Sequence, residues 1–451
     1  MPRSRLIVAS VAGALLTSCS WMRTPYTRPP LDGPATYAHT DDSAKASVDR
    51  WWQSFHDPSL NRLIEEALSH NSDLALAALN VRAAQLQVHL AVINPIVAVG
   101  YTYEDSKPLN GSAAATQFHS LTASASYQVD LWDQLGAAKD AARWEARATE
   151  EDRKSAALFV IGSAVNVYYQ LADLNDRIRF GQHSIADAAR TLQLVHVLKT
   201  AGHATRLDIA ESEQNLENQK ALHSALEEQR VELRNTLTIL LNGTRWPEDQ
   251  EPAAVPTGPP PAVAAGLPIA LLERRPDLRA AELRLRETLA QTDATRLSFY
   301  PNLSLTGSLG TASTGLTELV SNPLGSLAAT LSAPFIQINQ AHFATALART
   351  QYDKAVASFR KTLLQALSDV DNALSARSQL AIQGVNLERS VEAAKTVERL
   401  DEVRYRAGSV SLQIWLDAQE ARRQVEIALA GNRLARLQNY ATLCQALGGG
   451  V

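Results

Sequence analysis

Apolar positions recur along this chain at two periods, and the order in which the periods alternate is written twice. Asp57-Pro58 opens a helical pattern with proline at the first helical position. Leu63, Ala67, Leu74, Leu79 and Leu86 carry that pattern until Pro95 stops it. Between 96 and 130 the period falls to two: Leu121, Ala123, Ala125, Tyr127 and Val129 alternate with Thr122, Ser124, Ser126 and Gln128. A helical period then returns through residues 136–201, with Leu158, Ile161, Val165, Tyr168, Leu171 and Leu174 spaced near 3.5. At 1.5 Å per residue such a helix reaches about 100 Å. Gly202 ends it as a left-handed cap, and a return helix is expected at roughly 205–242.

The second half repeats this order. Asn71–Leu74 is answered by Arg275–Leu278, Pro95 by Pro301 and Gly202 by Gly408, at offsets of 204, 206 and 206 residues. Leu303, Leu305, Gly307 and Leu309 alternate with Ser304, Thr306 and Ser308. Leu327, Ala329, Leu331, Ala333 and Phe335 then alternate with Ala328, Thr330, Ser332 and Pro334. Residues 340–407 form the second long helix, with Val356, Phe359, Leu363, Ala366, Val370 and Ala373 on its seam, and a return helix follows at 411–447. A repeat this long is a duplicated domain, far above the period of a solenoid. Its parts are a first repeat at 51–245, a proline-rich linker at 246–268, a second repeat at 269–447 and a frayed tail at 448–451. Gly202 and Gly408 are the two hairpin turns.

Strands of this length with one apolar and one polar face are the signature of a transmembrane barrel. One such strand also suits a soluble sheet; four, in two matched hairpins, favour the membrane. Four strands cannot close a barrel, and an open edge does not survive in lipid, so several chains must share one. The fold class is therefore α+β: a membrane sheet joined to long helical hairpins.

The N-terminus supports this placement. Arg3 and Arg5 precede an apolar run at 6–16 that is too short to span a bilayer, as in a signal peptide covering 1–18. Leu16-Thr17-Ser18-Cys19 resembles a bacterial lipobox, which makes Cys19 the lipidated first residue of the mature chain, and Ser20 after it favours the outer membrane. Residues 19–50 form an extended tether. The other cysteine, Cys444, falls on a seam with Ile427, Ala430, Leu434, Leu437 and Ala441, where a small core residue is expected. Aromatic residues make up only 6% of the chain, which suits helical seams better than a thick aromatic core. The net charge of −4 becomes −6 once Arg3 and Arg5 are removed, and no basic patch invites nucleic acid.

Chemistry is absent from the pattern. The ten histidines form no metal-ligand spacing, and no phosphate loop or nucleophile elbow is present. Acidic residues lie mostly at helical spacing beside Lys or Arg, as on a solvated face. Neither an enzyme nor a cofactor is expected.

With these residues in view, the chain resembles the outer-membrane factors of tripartite efflux pumps, the TolC-like fold, and within it the NodT-type lipoproteins related to OprM. The resemblance rests on Pro25-Tyr26-Thr27-Arg28-Pro29, on Trp51-Trp52-Gln53-Ser54-Phe55 running into Asp57-Pro58, and on Asp130-Leu131-Trp132. Its most specific run is Leu272-Glu273-Arg274-Arg275-Pro276-Asp277-Leu278, supported by Phe299-Tyr300-Pro301-Asn302. Arg404-Tyr405-Arg406-Ala407-Gly408 and Leu416-Asp417-Ala418-Gln419 match the tip of the second helical hairpin. The resemblance implies a homotrimer with a β-barrel in the outer membrane and an α-barrel through the periplasm. It implies as partners a periplasmic adaptor and an inner-membrane RND-type transporter. It places Asp417 on an acidic ring at the periplasmic gate, and Asp208 and Tyr405 on positions that hold the hairpins together. Four positions depart from the family pattern: Val410 and Gln413 near the tip, Asp133 after Asp-Leu-Trp, and the run Pro334-Phe335-Ile336-Gln337 before the second long helix.

The function expected is a passive exit duct for drugs or other small compounds. The alternatives are a duct for type I protein secretion and, from a different class, a lipid-anchored periplasmic coiled-coil adaptor.

Overall fold

The structure is a computed structural model that describes residues 22–30, 37, 49–91, 93–109, 114–263, 271–314, 316 and 323–450. The signal peptide and Cys19 lie outside the described residues. The chain folds as two compact units, and each half of the duplication contributes to both. One unit takes residues 79–150 and 280–361 together with the described residues of the N-terminal segment. The other takes residues 151–279 and 362–450 together with residues 37 and 49–78.

The first unit holds the sheet. Its strands are β1 (Ile96–Ser106), β2 (Thr116–Val129), β3 (Asn302–Ser313) and β4 (Pro323–Ser332), antiparallel in the order β1-β2-β3-β4. The central pairing, β2 with β3, joins the two halves of the duplication. Among the described residues, nothing pairs with the outer edges of β1 and β4. The expected alternation beyond Ser332 is not strand: Pro334, which has no N–H for the ladder, begins a short 3-10 turn at Pro334–Ile336. Ala333 and Phe335 therefore leave the sheet.

The described N-terminal residues of this unit are fastened, not loose. Arg23 pairs with Asp133 and Asp140, each at 2.5 Å. Thr24 donates its backbone N–H and its hydroxyl to buried Asp293, at 2.7 and 2.8 Å. Arg28 grips Glu282 through two nitrogens. The departure at Asp133 has its explanation here: its φ is +62°, a region in which Asp is tolerated better than most residues, and its carboxylate serves Arg23.

The longer helices are α1 (Pro58–His70), α2 (Ser72–Leu90), α3 (Gln134–Thr200), α4 (Arg206–Leu240), α5 (Pro276–Leu297), α6 (Ile338–Arg406) and α7 (Leu412–Ala446). The two long helices have 67 and 69 residues and the two return helices 35 each, so the duplication holds almost to the residue. The helix expected from 58 to 94 is broken at Asn71. That residue turns extended, and its side-chain oxygen accepts the N–H groups of Asp73 and Leu74, capping α2. On α2 the buried residues are Val81 and Ala84; Leu79 and Leu86, expected on the seam, are exposed with Leu76 and Leu90.

The second unit has an aromatic core around Trp51, Phe55, Tyr169 and Tyr440, with Phe55 5.1 Å from each tyrosine ring. Asp57 caps α1 with one carboxylate oxygen and accepts the Tyr168 hydroxyl at 2.8 Å with the other. Most of the expected seam positions are buried, with Ile161, Val165, Leu171, Phe359, Ala366 and Val370 almost inaccessible, while Val356 is half-buried. Cys444 is buried as expected, and burial pushes its thiol up to about 12. Ile427, by contrast, faces outward. The linker after Trp246 is tied down, with Glu251 held by Arg230 and Arg234 and the Val255 N–H donated to Asp176. The tail is not frayed at 448–450, where the Gly450 carbonyl accepts the Arg50 N–H at 3.2 Å.

Candidate functional site

Two places carry the chemistry of passage: the faces of the sheet and the tips of the helical hairpins. Directly paired residues of an antiparallel ladder share a face. The register pairs Val99 with Ala123, Ala123 with Leu309, Tyr127 with Leu305, and Leu303 with Leu331. One face is thus apolar across all four strands, and Leu309 and Leu327 on it are 72% and 87% exposed in the single chain. The other face is a field of hydroxyls. Ser126 meets Ser304 and Thr306 at 3.1 and 3.0 Å, and Ser308 meets Ser326 at 2.7 Å. Towards one end of the apolar face, the Tyr101 hydroxyl contacts His119 Nδ1 at 2.8 Å and Tyr103 packs on the same ring. Tyr127 lies towards the other end, so aromatic residues flank the apolar band as girdles do in membrane barrels.

At the tips, both turns are built the same way. Gly202 has φ +85° and Gly408 φ +73°. His203 donates to the Leu198 carbonyl at 2.8 Å and Ser409 to the Arg404 carbonyl at 2.9 Å, the long bond of a Schellman cap in each case. Thr205 then starts α4 with a capping box: its side chain accepts the Asp208 N–H, and Asp208 accepts the Thr205 N–H at 2.6 Å. Asp208 therefore has a local duty as a helix cap.

An apolar core joins the two tips. Val195 and Ala204 of the first hairpin meet Tyr405, Leu412, Trp415 and Leu416 of the second, with Ile209 and Val410 packed against them. The departure at Val410 is thereby accounted for, since an apolar side chain suits this core. Tyr405 stacks on Trp415 at 5.6 Å. Its buried hydroxyl has no hydrogen-bond partner among the described residues, and its pKa is raised first by burial and then by the charges of Asp208 and Glu211. Asp208 and Tyr405 are thus neighbours in an electrostatic sense without a hydrogen bond between them.

Asp417 is exposed on the first turns of α7 and accepts from Gln413 Nε2 at 2.7 Å. The Glu211 carboxyl, across a groove shared with Asp417 and Glu420, has its pKa raised by burial and by Asp208 and Asp417. The pattern of the sequence did not single out Glu211 or Trp415. Both are set by contacts between hairpins some 200 residues apart, which leave no local signal. Among the described residues, no cluster of His, Cys, Asp and Glu could hold a metal ion.

Comparison with known proteins agrees with this geometry. The family model described as "Outer membrane efflux protein" matches residues 63–243 and 267–449, one block for each half. The chain is 31% identical over 427 residues to the pyoverdine export outer membrane protein OpmQ of Pseudomonas putida, covering 91% of this chain and 90% of that one. It is 30% identical to the probable efflux pump outer membrane protein TtgC of the same species, over 93% of this chain and 88% of that one. The crystal structure of the Campylobacter jejuni CmeC outer membrane channel superposes with a TM-score of 0.83 at 21% identity, over 95% of both chains, which establishes the shared fold. The two-faced sheet, the paired long hairpins and these matches together place the chain in the outer membrane efflux protein family, as a non-enzymatic outer-membrane efflux channel.

Proposed function

We propose that three copies of the chain form one duct that carries small compounds, drugs among them, out of the periplasm. An adaptor and an inner-membrane RND-type transporter open it and supply the energy. The observation that carries this reading is the open four-stranded sheet, apolar on one face and hydroxyl-lined on the other. In lipid its two free edges need partners, and three copies supply about twelve strands, within the range of outer-membrane barrels. The exposed stripe Leu76, Leu79, Leu86 and Leu90, at helical spacing, calls for cover by neighbouring copies.

The apolar face then meets lipid and the hydroxyl face lines the lumen. Neutral hydroxyls hydrogen-bond passing molecules weakly and without preference for charge, which suits a conduit for varied cargo. Discrimination falls to the tips, where threefold symmetry gathers three Asp417 carboxylates into a cation-attracting constriction, with Asp208 and Tyr405 beside the hairpin contacts that keep it narrow. Cys19 carries the lipid anchor: it lies three residues before Met22, whose carbonyl is held by Arg296. Several acyl chains on one cysteine hold firmly where a single chain does not.

The test is to place the gene, with an adaptor gene and an RND-type transporter gene from the same genome, in a strain lacking its own outer-membrane efflux channels. Drug tolerance should rise with the complete set and not with the channel omitted. Equal tolerance with and without the channel contradicts the reading.

A further inference from the structure

Above the apolar tip core, one arginine gathers three carboxylates from three helices. Arg422 on α7 lies with Nε 2.6 Å from Glu398 on α6, with one terminal nitrogen 3.6 Å from Glu426 on its own helix, and with the other 3.9 Å from Asp187 on α3. The Arg422 side chain is only 22% exposed, and Glu398 and Glu426 are similarly sheltered. Glu398 has its pKa raised by burial, and Arg422 is the largest influence opposing that rise while Asp187 and Glu426 add to it. Removing Arg422 would leave these sheltered carboxylates without the guanidinium they share. Arg190 also pairs with Asp187, and Arg423 with Glu420, so the local cations are engaged as well.

Beside this contact the hairpins are not fully packed together. Beside Arg422, a cavity of about 230 Å³ separates α3 and α4 from α7, with Phe180, Leu222 and Ile427 on its walls. Asp187 and Arg422 face each other at the edge of that cavity.

We propose that Arg422 is a second latch of the resting channel, a positioning residue that holds the first hairpin against the second through Asp187 and stiffens the second through Glu398. It rests on the duct reading above and adds to it a closing contact about fourteen residues beyond the Gly408 turn, some 20 Å along the helix. When the tips part, the long Asp187 contact breaks first and the short Glu398 contact stays within its hairpin. The latch is partly open to solvent, so salt weakens it.

The test uses the full-length mature protein in planar bilayers, with resting conductance normalised to that of the bath. Arg422→Gln should raise normalised conductance several-fold, and Asp187→Asn, which removes the other side of the contact between hairpins, should raise it in the same direction with no further rise when the two are combined. Arg422→Lys should keep most of the closure. Wild-type normalised conductance should rise with salt, and Arg422→Gln should flatten that rise. An Arg422→Gln channel with wild-type conductance and wild-type salt response overturns the latch, even if its thermal stability falls. A wild-type protein that forms no pore overturns the duct reading instead.

Discussion

Leu309 and Ser308 are adjacent on β3, at nearly the same depth, and they point to opposite faces of the sheet. Changing each to lysine therefore separates the effect of the face from the effects of depth and added charge. Leu309 lies between Ala123 and Gly325 on the apolar face and is 72% exposed in the single chain. A lysine there enters hydrocarbon, at a cost of about 2–4 kcal/mol near the bilayer midplane. With about 1.4 kcal/mol per factor of ten, that lowers the folding equilibrium about 30- to 700-fold per chain, and a shared barrel incurs the cost in every copy. Ser308→Lys loses the hydroxyl contact to Ser326 at 2.7 Å, worth about 0.5–1.5 kcal/mol, but its ammonium stays in the water of the lumen. The yield of folded oligomer extracted from membranes, and its urea midpoint in detergent-free vesicles, measure both variants. Leu309→Lys should lose most of the folded oligomer and Ser308→Lys should lose little. Equal loss at both positions would refute the assignment of lipid and lumen faces.

Three further outcomes follow from the tips and the helices. Asp417→Asn should weaken block of the resting pore by divalent cations and lower its cation selectivity without lowering expression; unchanged block would leave Asp417 a solvated tip carboxylate. Asp208→Asn keeps an oxygen for the Thr205 cap while removing the charge, whereas Asp208→Ala loses both, so a loss of stability of about 0.5–2 kcal/mol confined to Asp208→Ala would mark the capping duty. Glu287 is a pH-sensitive group: burial and then Glu145 push its carboxyl up to about 7, with Arg284 opposing. The folded chain then holds a proton that the unfolded chain releases, so stability falls as pH rises from the ordinary carboxyl range through 7. Glu287→Gln should raise the melting temperature more at pH 8 than at pH 5, and an equal rise at both pH values would contradict the half-buried placement beside Glu145.

Much of the architecture was legible because its signals are local. The change of period at 96–130 and again after Pro301 marks the strands, and Gly202 and Gly408 mark turns where a positive φ is required. The helix break at Asn71 was hidden because the apolar spacing continues across it while a single side chain caps the second segment. Pro334 did announce the end of β4, but the alternation running past it suggested a longer strand. The clamp of Arg23 on Asp133 spans 110 residues, and the meeting of Arg422 with Asp187 spans 235. Such pairs depend on how helices pack, and nothing in either stretch of sequence foretells them. The proposal of a gate at Asp417 rests on resemblance alone, since an exposed aspartate on a helix has no distinguishing pattern of its own.

The central claim is that copies of this chain share one barrel, and the mass of the intact particle tests it most directly. Native mass spectrometry of the mature protein, extracted from the outer membrane and released gently from detergent, should give three chains per particle, with lipid mass on each. A disulfide engineered between the free edge of β1 in one copy and that of β4 in the next should then link all three. A stable single-chain particle, with no link formed between copies across those edges, would contradict the account.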